Sequence, residues 1–306
     1  MSLHVIFLGT AGAIPTLQRS LPAVLIQRGN ELLMLDCGEG VQRQMIRAKV
    51  GVHKKMKIFL SHLHGDHVLG LPGLLQTMAL LDRKRDVEVY GPEGTAAFLT
   101  CVQEALHFGL TFDVIIHEVH DAGVVCDEAA YAVEAVWANH VMPTLAYAFL
   151  EKTRPGKFYP EKAAALGVPK GILWSKLQHG KAVTLPDGNV VKPEEATGAA
   201  RRGRKIVYSG DTRPFKEFAK FASGADLLIH EATFDDALAE KAELDGHSTP
   251  GQAALQAKRA KAKLLVLTHV SARYADSALL LEQAKKVFEN TVVAEDFLVL
   301  DLPLSE

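Results

Sequence analysis

The chain has 306 residues, 48 % of them hydrophobic, with 34 Lys+Arg against 36 Asp+Glu and a net charge of −2. A chain of this length buries roughly three quarters of its unfolded surface, so its core needs neither disulfides nor a structural metal, and near-neutral charge excludes a global pull on nucleic acid, leaving any polyanion to a local patch or to bound cations. Cys37, Cys101 and Cys126 form no CxxC pair, which argues against a thiolate zinc site and a disulfide framework and fits a reducing, cytosolic compartment.

In chain order, Met1 leads into the apolar run Leu3–Leu8 with no basic segment before it, so no export signal is expected, and no run approaches the roughly 18 apolar residues of a membrane span. Short strands are predicted at about 3–9, 22–27 and 31–36, punctuated by Gly12, Pro15, Pro22 and Gly29-Asn30. Gly9-Thr10-Ala11-Gly12 lacks the spacing of a dinucleotide fingerprint and reads as a strand-to-loop turn. Asp36 follows a buried strand and has two readings, a partner to a ligating histidine or an N-cap for a helix over 41–48. From Val41 onward strands (58–60, 87–90, 114–116) alternate with helices at about 67–82 and 93–107, which is α/β character. The run Asp82-Arg83-Lys84-Arg85-Asp86 reads as a solvated connection.

Residues 151–204 break the pattern with five prolines and seven glycines, and carry 11 Lys+Arg against 5 Asp+Glu. This segment is therefore +6 and the remainder −8, which marks it as an inserted basic arm within a single domain spanning 1–306. Its Trp174 is suited either to stacking on a base or to anchoring the arm. Beyond it, strands resume at 206–208, 227–229, 264–267 and 297–300.

The densest chemical signal is Ser61-His62-Leu63-His64-Gly65-Asp66-His67, directly after an apolar strand. Extended backbone through His62 and His64 points both imidazoles to one side, and a turn at Gly65 brings Asp66 and His67 back from the next helix. His140, Asp211 and His269 also lie just past predicted strands, at the sheet edge where α/β proteins place their sites. Two half-sites result: His62, His64 and His140 in one, Asp66, His67 and His269 in the other, with Asp211 between them. Nitrogen and carboxylate donors without thiolate suit two divalent cations, zinc foremost, or manganese or iron. Such a pair activates water and neutralises a phosphodiester under attack. Glu231 and His247 form a carboxylate–imidazole pair suited to protonating a leaving oxygen.

The His-x-His-x-Asp-His signature with these downstream ligands resembles the metallo-β-lactamase superfamily, and more narrowly the ribonuclease Z family. The likeness includes Phe7-Leu8-Gly9-Thr10, Leu35-Asp36-Cys37-Gly38-Glu39-Gly40, His230-Glu231-Ala232-Thr233-Phe234, Gly246-His247-Ser248-Thr249 and Ser271-Ala272-Arg273-Tyr274. The family arm often carries Pro-Pro-Gly-Pro where this chain has Val168-Pro169-Lys170-Gly171-Ile172, and its early loop Lys-x-Arg-Asn where this chain has Leu17-Gln18-Arg19-Ser20.

The resemblance implies a four-layer αββα sandwich with a protruding arm, and a cytoplasmic homodimer that removes the 3′ trailer of precursor tRNA and leaves a 3′-hydroxyl. It implies Asp66 as proton acceptor. RNA contacts are expected from Ser271, Arg273 and Tyr274 and from arm residues such as Lys170 and Lys176. The competing reading is a small-molecule hydrolase of the same superfamily, a phosphodiesterase, thioesterase or arylsulfatase-like enzyme, which would share the seven ligands without needing the arm. A fold that had lost its chemistry would be expected to lack a ligand, and all seven are present.

Overall fold

The computed structural model describes residues 2–304. Two seven-stranded sheets form the main unit. In the first, the spatial order is Val299–Asp301, Leu3–Gly9, Ala23–Arg28, Glu31–Leu35, Lys55–Phe59, Val87–Pro92 and Val114–Val119. The last four strands run parallel and the others pair antiparallel. The second sheet orders Thr291–Val293, Leu265–Thr268, Leu227–Glu231, Lys205–Tyr208, Leu145–Glu151, Tyr131–Trp137 and Gly123–Asp127, with its first four strands parallel. The connections between parallel strands bring successive carboxyl ends to the same edge, which is where the candidate ligands emerge.

Strand alternation divides each sheet's side chains between two buried layers. From the first sheet, Leu25, Met34, Met56, Ile58 and Val89 pack with Met45, Leu71, Leu74, Leu75 and Met78 of the helices Val41–Arg47 and Gly70–Leu80. In the second, Ala146, Ala148, Val207, Leu228 and Leu265 pack with Phe218, Ala253, Ala254 and Ala257, the small side chains letting helix Pro250–Ala260 approach its sheet closely. The opposite faces are buried against each other: the Phe59 and Tyr147 rings, one from each sheet, meet at 5.5 Å, and the Tyr147 hydroxyl donates to the Leu60 carbonyl at 2.8 Å. Helix, sheet, sheet and helix are the four layers.

The segment Asp82–Asp86 is the exposed connection its charges suggest, except at Arg83. Arg83 is fully buried, and its guanidinium donates to the carbonyls of Val52, Lys54, Arg85 and Asp86. The chain turns tightly from helix Gly70–Leu80 into strand Val87–Pro92, and one guanidinium satisfies carbonyl groups that the turn takes out of the sheet ladder. Lys84 at the same turn is exposed.

Residues 129–131 and 151–204 make a second compact unit with its own small core. Ala163, Val168, Leu177, Val183, Leu185, Val191 and Ala196 cluster there, from the helices Pro160–Ala165, Ile172–Gln178 and Pro193–Ala196 and a hairpin of Val183–Thr184 with Val190–Val191. Trp174 packs on Phe158 at 5.6 Å and donates Nε1–H to the Val168 carbonyl, so it anchors this unit internally. Arg204 grips Glu151 through two 2.7 Å bonds, closing the segment where it begins and ends.

Replacing Arg83 by Met should lower unfolding stability by about 3 kcal/mol, since several buried acceptors lose a charged donor together. Lys84→Ala should change it by less than about 0.5 kcal/mol. Denaturant unfolding of the two variants checks the contrast, and equal midpoints would mean that Arg83 does not hold the turn.

Candidate metal centre

Most of the candidate ligands are positioned just past a strand end. Strand Lys55–Phe59 delivers His62 and His64, and the one-turn helix Gly65–Val68 returns Asp66 and His67. His140 follows Tyr131–Trp137, Asp211 follows Lys205–Tyr208, and His269 follows Leu265–Thr268. Glu231 ends Leu227–Glu231. His247 lies between two helices, after Gly246 at the end of Ala239–Asp245 and before the capping box in which Thr249 and Gln252 open Pro250–Ala260. The donor atoms gather as His62, His64, His140 and Asp211; as Asp66, His67 and His269; and as Asp211, His247 and His269.

The spacing of these atoms tests whether a cation fits. Donors 2.0–2.1 Å from a tetrahedral metal lie about 3.3 Å from one another. His67 Nε2 and His269 Nε2 are 3.2 Å apart, and Asp66 Oδ2 is 3.4 Å from each. Asp211 Oδ2 lies 3.4 Å from His67 Nε2 and 3.3 Å from His269 Nε2, so the same two imidazoles also meet a second carboxylate at ligand spacing. In the other group His64 Nδ1 is 3.0 Å from His62 Nε2 and 3.4 Å from His140 Nε2, with Asp211 Oδ2 3.8 Å from His62. Asp211 therefore faces both groups. Its buried Oδ1 has no hydrogen-bond partner, an arrangement that a cation compensates. The residues present fit a divalent metal centre.

The outward nitrogens are committed elsewhere, which fixes the inward lone pairs. His140 Nδ1–H donates to the Gly246 carbonyl at 2.7 Å, and His67 Nδ1–H to the Asp36 carboxylate at 2.7 Å. His62 Nδ1–H meets Ser61 Oγ at 2.9 Å, and that hydroxyl donates to Asp36 at 2.8 Å. His269 Nδ1–H meets Thr233 Oγ1 at 2.8 Å, and this hydroxyl donates to Glu231 at 2.7 Å. With Nδ1 committed in this way, each of these four rings turns its Nε2 toward the centre. Asp36 does not cap helix Val41–Arg47, whose N-cap is Gly40. It is fully buried and also accepts from the Tyr208 hydroxyl and the Ser61 amide, each at 2.6 Å. Two glycines admit the rings: a Cβ at Gly12 would lie 2.6 Å from His269 Nδ1, and one at Gly246 2.6 Å from His140 Nδ1.

Burial holds His62, His64 and His140 below the usual imidazole range, keeping them neutral. Burial opposes charge on His67 too, but Asp211 and Asp36 outweigh it and draw its pKa well up. The negative field at that point holds a proton where no larger cation is bound. Partial burial of Asp66 opposes its ionisation, yet hydrogen bonds from His269 and His67 keep its carboxyl well below the usual range. It also accepts from the Ala13 amide at 2.9 Å. His247 donates Nδ1–H to Glu231 at 3.0 Å; burial lowers its affinity for a proton, and Glu231 and Asp211 override this and push its pKa up to about 9.

Of the expected RNA contacts, Arg273 lies over the Phe234 ring at 4.7 Å and bonds Ser271 Oγ, while the Tyr274 hydroxyl is tied to Asp235. The Phe234 ring in turn packs 5.8 Å from His247. Lys170 and Lys176 are exposed on the 151–204 unit. Sequence reasoning gave no role to Ser61, Tyr208 or Thr233. Ser61 and Thr233 stood within the quoted motifs, and a hydroxyl next to His62 or two residues past Glu231 was the available signal. Tyr208 lies on another sheet from Asp36 and left none.

The family profile described as Anti-Pycsar protein Apyc1 matches residues 3–118, and the Beta-lactamase superfamily domain matches residues 170–270. Ribonuclease Z of Methanosarcina acetivorans is 48 % identical over 302 residues, 98 % of each chain, and that of Methanosarcina mazei 46 % over the same span and coverage. Among solved structures, human tRNase Z, short form, is similar with a TM-score of 0.73 at 31 % identity, covering 98 % of this chain and 100 % of that one. The two-sheet sandwich is the metallo-β-lactamase fold.

In the metal-free protein, Glu231→Gln should bring the His247 titration from about 9 down toward about 6.5. The raised value stabilises the fold fully below about pH 6.5 and loses that contribution as pH rises through about 9. Imidazole chemical shifts followed against pH check this, and an unmoved titration would show that Glu231 does not set it.

Proposed function

We propose the reaction of this chain from one established premise: it belongs to the ribonuclease Z family. It hydrolyses the phosphodiester that joins a 3′ trailer to precursor tRNA, leaving a 3′-hydroxyl on the tRNA. His62, His64 and His140 would hold one divalent ion and Asp66, His67 and His269 a second, with Asp211 reaching both. Imidazole and carboxylate donors at tetrahedral spacing favour zinc, with manganese or iron as substitutes. Bound there, two such ions lower the pKa of water and neutralise the phosphate it attacks.

The chain's own groups handle the protons. Asp66, held ionised, accepts the proton of the attacking water. As the bond from phosphorus to O3′ breaks, His247 gives its Nε2 proton to that oxygen, and Glu231 steadies the ring through Nδ1–H. The single observation that carries this reading is the position of the Glu231–His247 pair, with the His247 ring 5.1 Å from His140 and 5.4 Å from His269. Holding cations does not require a raised-pKa imidazole beside them; expelling an alkoxide does.

The +6 charge of residues 151–204 supports their role as the tRNA-gripping arm, with Lys170 and Lys176 meeting phosphates. Arg273, propped on Phe234, is suited to a phosphate beside the scissile one, with Ser271 and Tyr274 shaping that lip. Exposed Ile46, Leu69 and Leu80, on or beside the contacting helices Val41–Arg47 and Gly70–Leu80, support a homodimer, since large apolar side chains left in solvent are suited to burial against a second copy. No helix among the described residues is long and apolar enough to cross a membrane, and a precursor tRNA substrate supports a cytoplasmic setting. A small-molecule hydrolase is not favoured, because relatives named ribonuclease Z match over nearly the whole chain.

Incubation with a precursor tRNA bearing a 3′ trailer tests the reading. The metal-loaded protein should release the trailer in one cut, and His247→Ala should slow the single-turnover rate by roughly 10²–10⁴-fold. Changing Lys170 and Lys176 to Ala should weaken binding and reduce the salt slope by about one to two. No cleavage by the loaded protein would overturn the function; a His247→Ala loss confined to affinity would remove the general acid.

A further inference from the structure

One cavity at the carboxyl edge of the strands is lined for something other than a cation or a phosphate. It encloses about 260 Å³ and is lined by Glu93, Val119, His120, Trp137 and Pro143. Glu93 directly follows strand Val87–Pro92, Val119 ends Val114–Val119, and Trp137 ends Tyr131–Trp137, so the cavity opens at the same carboxyl edge as the ligands. Val87–Pro92 is the strand paired to Lys55–Phe59, which carries the His62–His67 loop. Adjacent strands are about 4.8 Å apart. Leu63, between the candidate ligands His62 and His64, lies close to Gly94 next to Glu93: a Cβ there would be 3.1 Å from its Cδ1. Trp137 lies three residues before His140 and remains 37 % exposed.

The lining selects the occupant. No Lys or Arg contributes to it, and the Glu93 carboxylate repels a phosphate, so the backbone of a nucleic acid is unsuited to it. An exposed indole with an imidazole and a proline ring offers flat, partly apolar faces, which is the chemistry that takes an unpaired base. We propose that Trp137, with His120 and Pro143, forms a stacking subsite for the nucleobase that adjoins the scissile phosphate in single-stranded RNA. The proposal rests on the phosphodiesterase reading of the metal centre, and adds to it a contact that grips the base while the centre grips the phosphate. Stacking there fixes the phosphate's register against the ligands, so it acts on positioning and tolerates any base.

The test is a double-mutant cycle on the metal-loaded protein, combining Trp137→Ala with precursor tRNA made abasic at the nucleotide on either side of the cleavage site. Trp137→Ala should lower single-turnover kcat/KM about ten- to a hundredfold on the intact substrate, and Trp137→Phe should recover most of it. At one of the two positions the abasic substrate should lose a similar factor with the native protein and almost nothing further with Trp137→Ala. Independently, in a Trp174→Phe background, Trp137 is the only indole, and a short single-stranded RNA should quench its fluorescence where inorganic phosphate does not. Additive losses at both positions, or no quenching by RNA, would overturn the subsite. A native protein that cleaves no precursor tRNA yet shows Trp137 quenching would instead separate the subsite from the function assigned to the centre.

Discussion

The Asp36 carboxylate is the fixed point from which the metal centre is built. It sits in the left-handed region of backbone space at φ 57° and is fully buried, a conformation unfavourable for a residue with a side chain unless its surroundings hold it there. What holds it is a ring of donors from both sheets: the Ser61 amide and hydroxyl, the His67 imidazole and the Tyr208 hydroxyl. The same carboxylate acts on both halves of the centre. It orients His67 directly and His62 through Ser61, so one buried charge sets the lone pair of a ligand in each group.

A similar arrangement recurs on the second sheet. Glu231 holds His247 at Nδ1 and reaches His269 through Thr233, so one carboxylate orients both the proposed proton donor and a candidate ligand. The two sheets thus supply parallel supports, Asp36 with its hydroxyl relay Ser61 and Glu231 with its relay Thr233. Asp211 lies between them, facing both groups of imidazoles with one of its oxygens unpartnered. Negative charge concentrated at such depth is unfavourable without a compensating cation, which makes metal binding and folding of this edge one problem.

Much of this was legible in the sequence because it is local. The His62–His67 loop, its preceding strand and the alternation of strands and helices depend on residues a few positions apart, and periodicity reports them directly. The motif around Glu231 and His247 was also readable as a carboxylate–imidazole pair. What escaped depends on contacts across the chain. Arg83 stood in a run of charges and turned out buried because Val52 and Lys54, some thirty residues earlier, offer it carbonyls. Tyr208 meets Asp36 across 172 residues of sequence. Residues 151–204 read as prolines, glycines and charge, yet fold around seven buried apolar side chains too sparse to show a period.

The most direct test of this account is the divalent-ion affinity of Asp36→Asn, measured by competition with a chelator on protein whose circular dichroism matches the native form. An amide keeps the size of the side chain but loses its charge and turns an NH₂ group either toward the Ser61 amide, which bonds Oδ1, or toward His67, Ser61 Oγ and Tyr208, which all bond Oδ2. The account predicts that both ions bind roughly 10–100-fold more weakly, since each group contains one imidazole oriented from Asp36. Native affinity for both ions in a folded Asp36→Asn protein would contradict it.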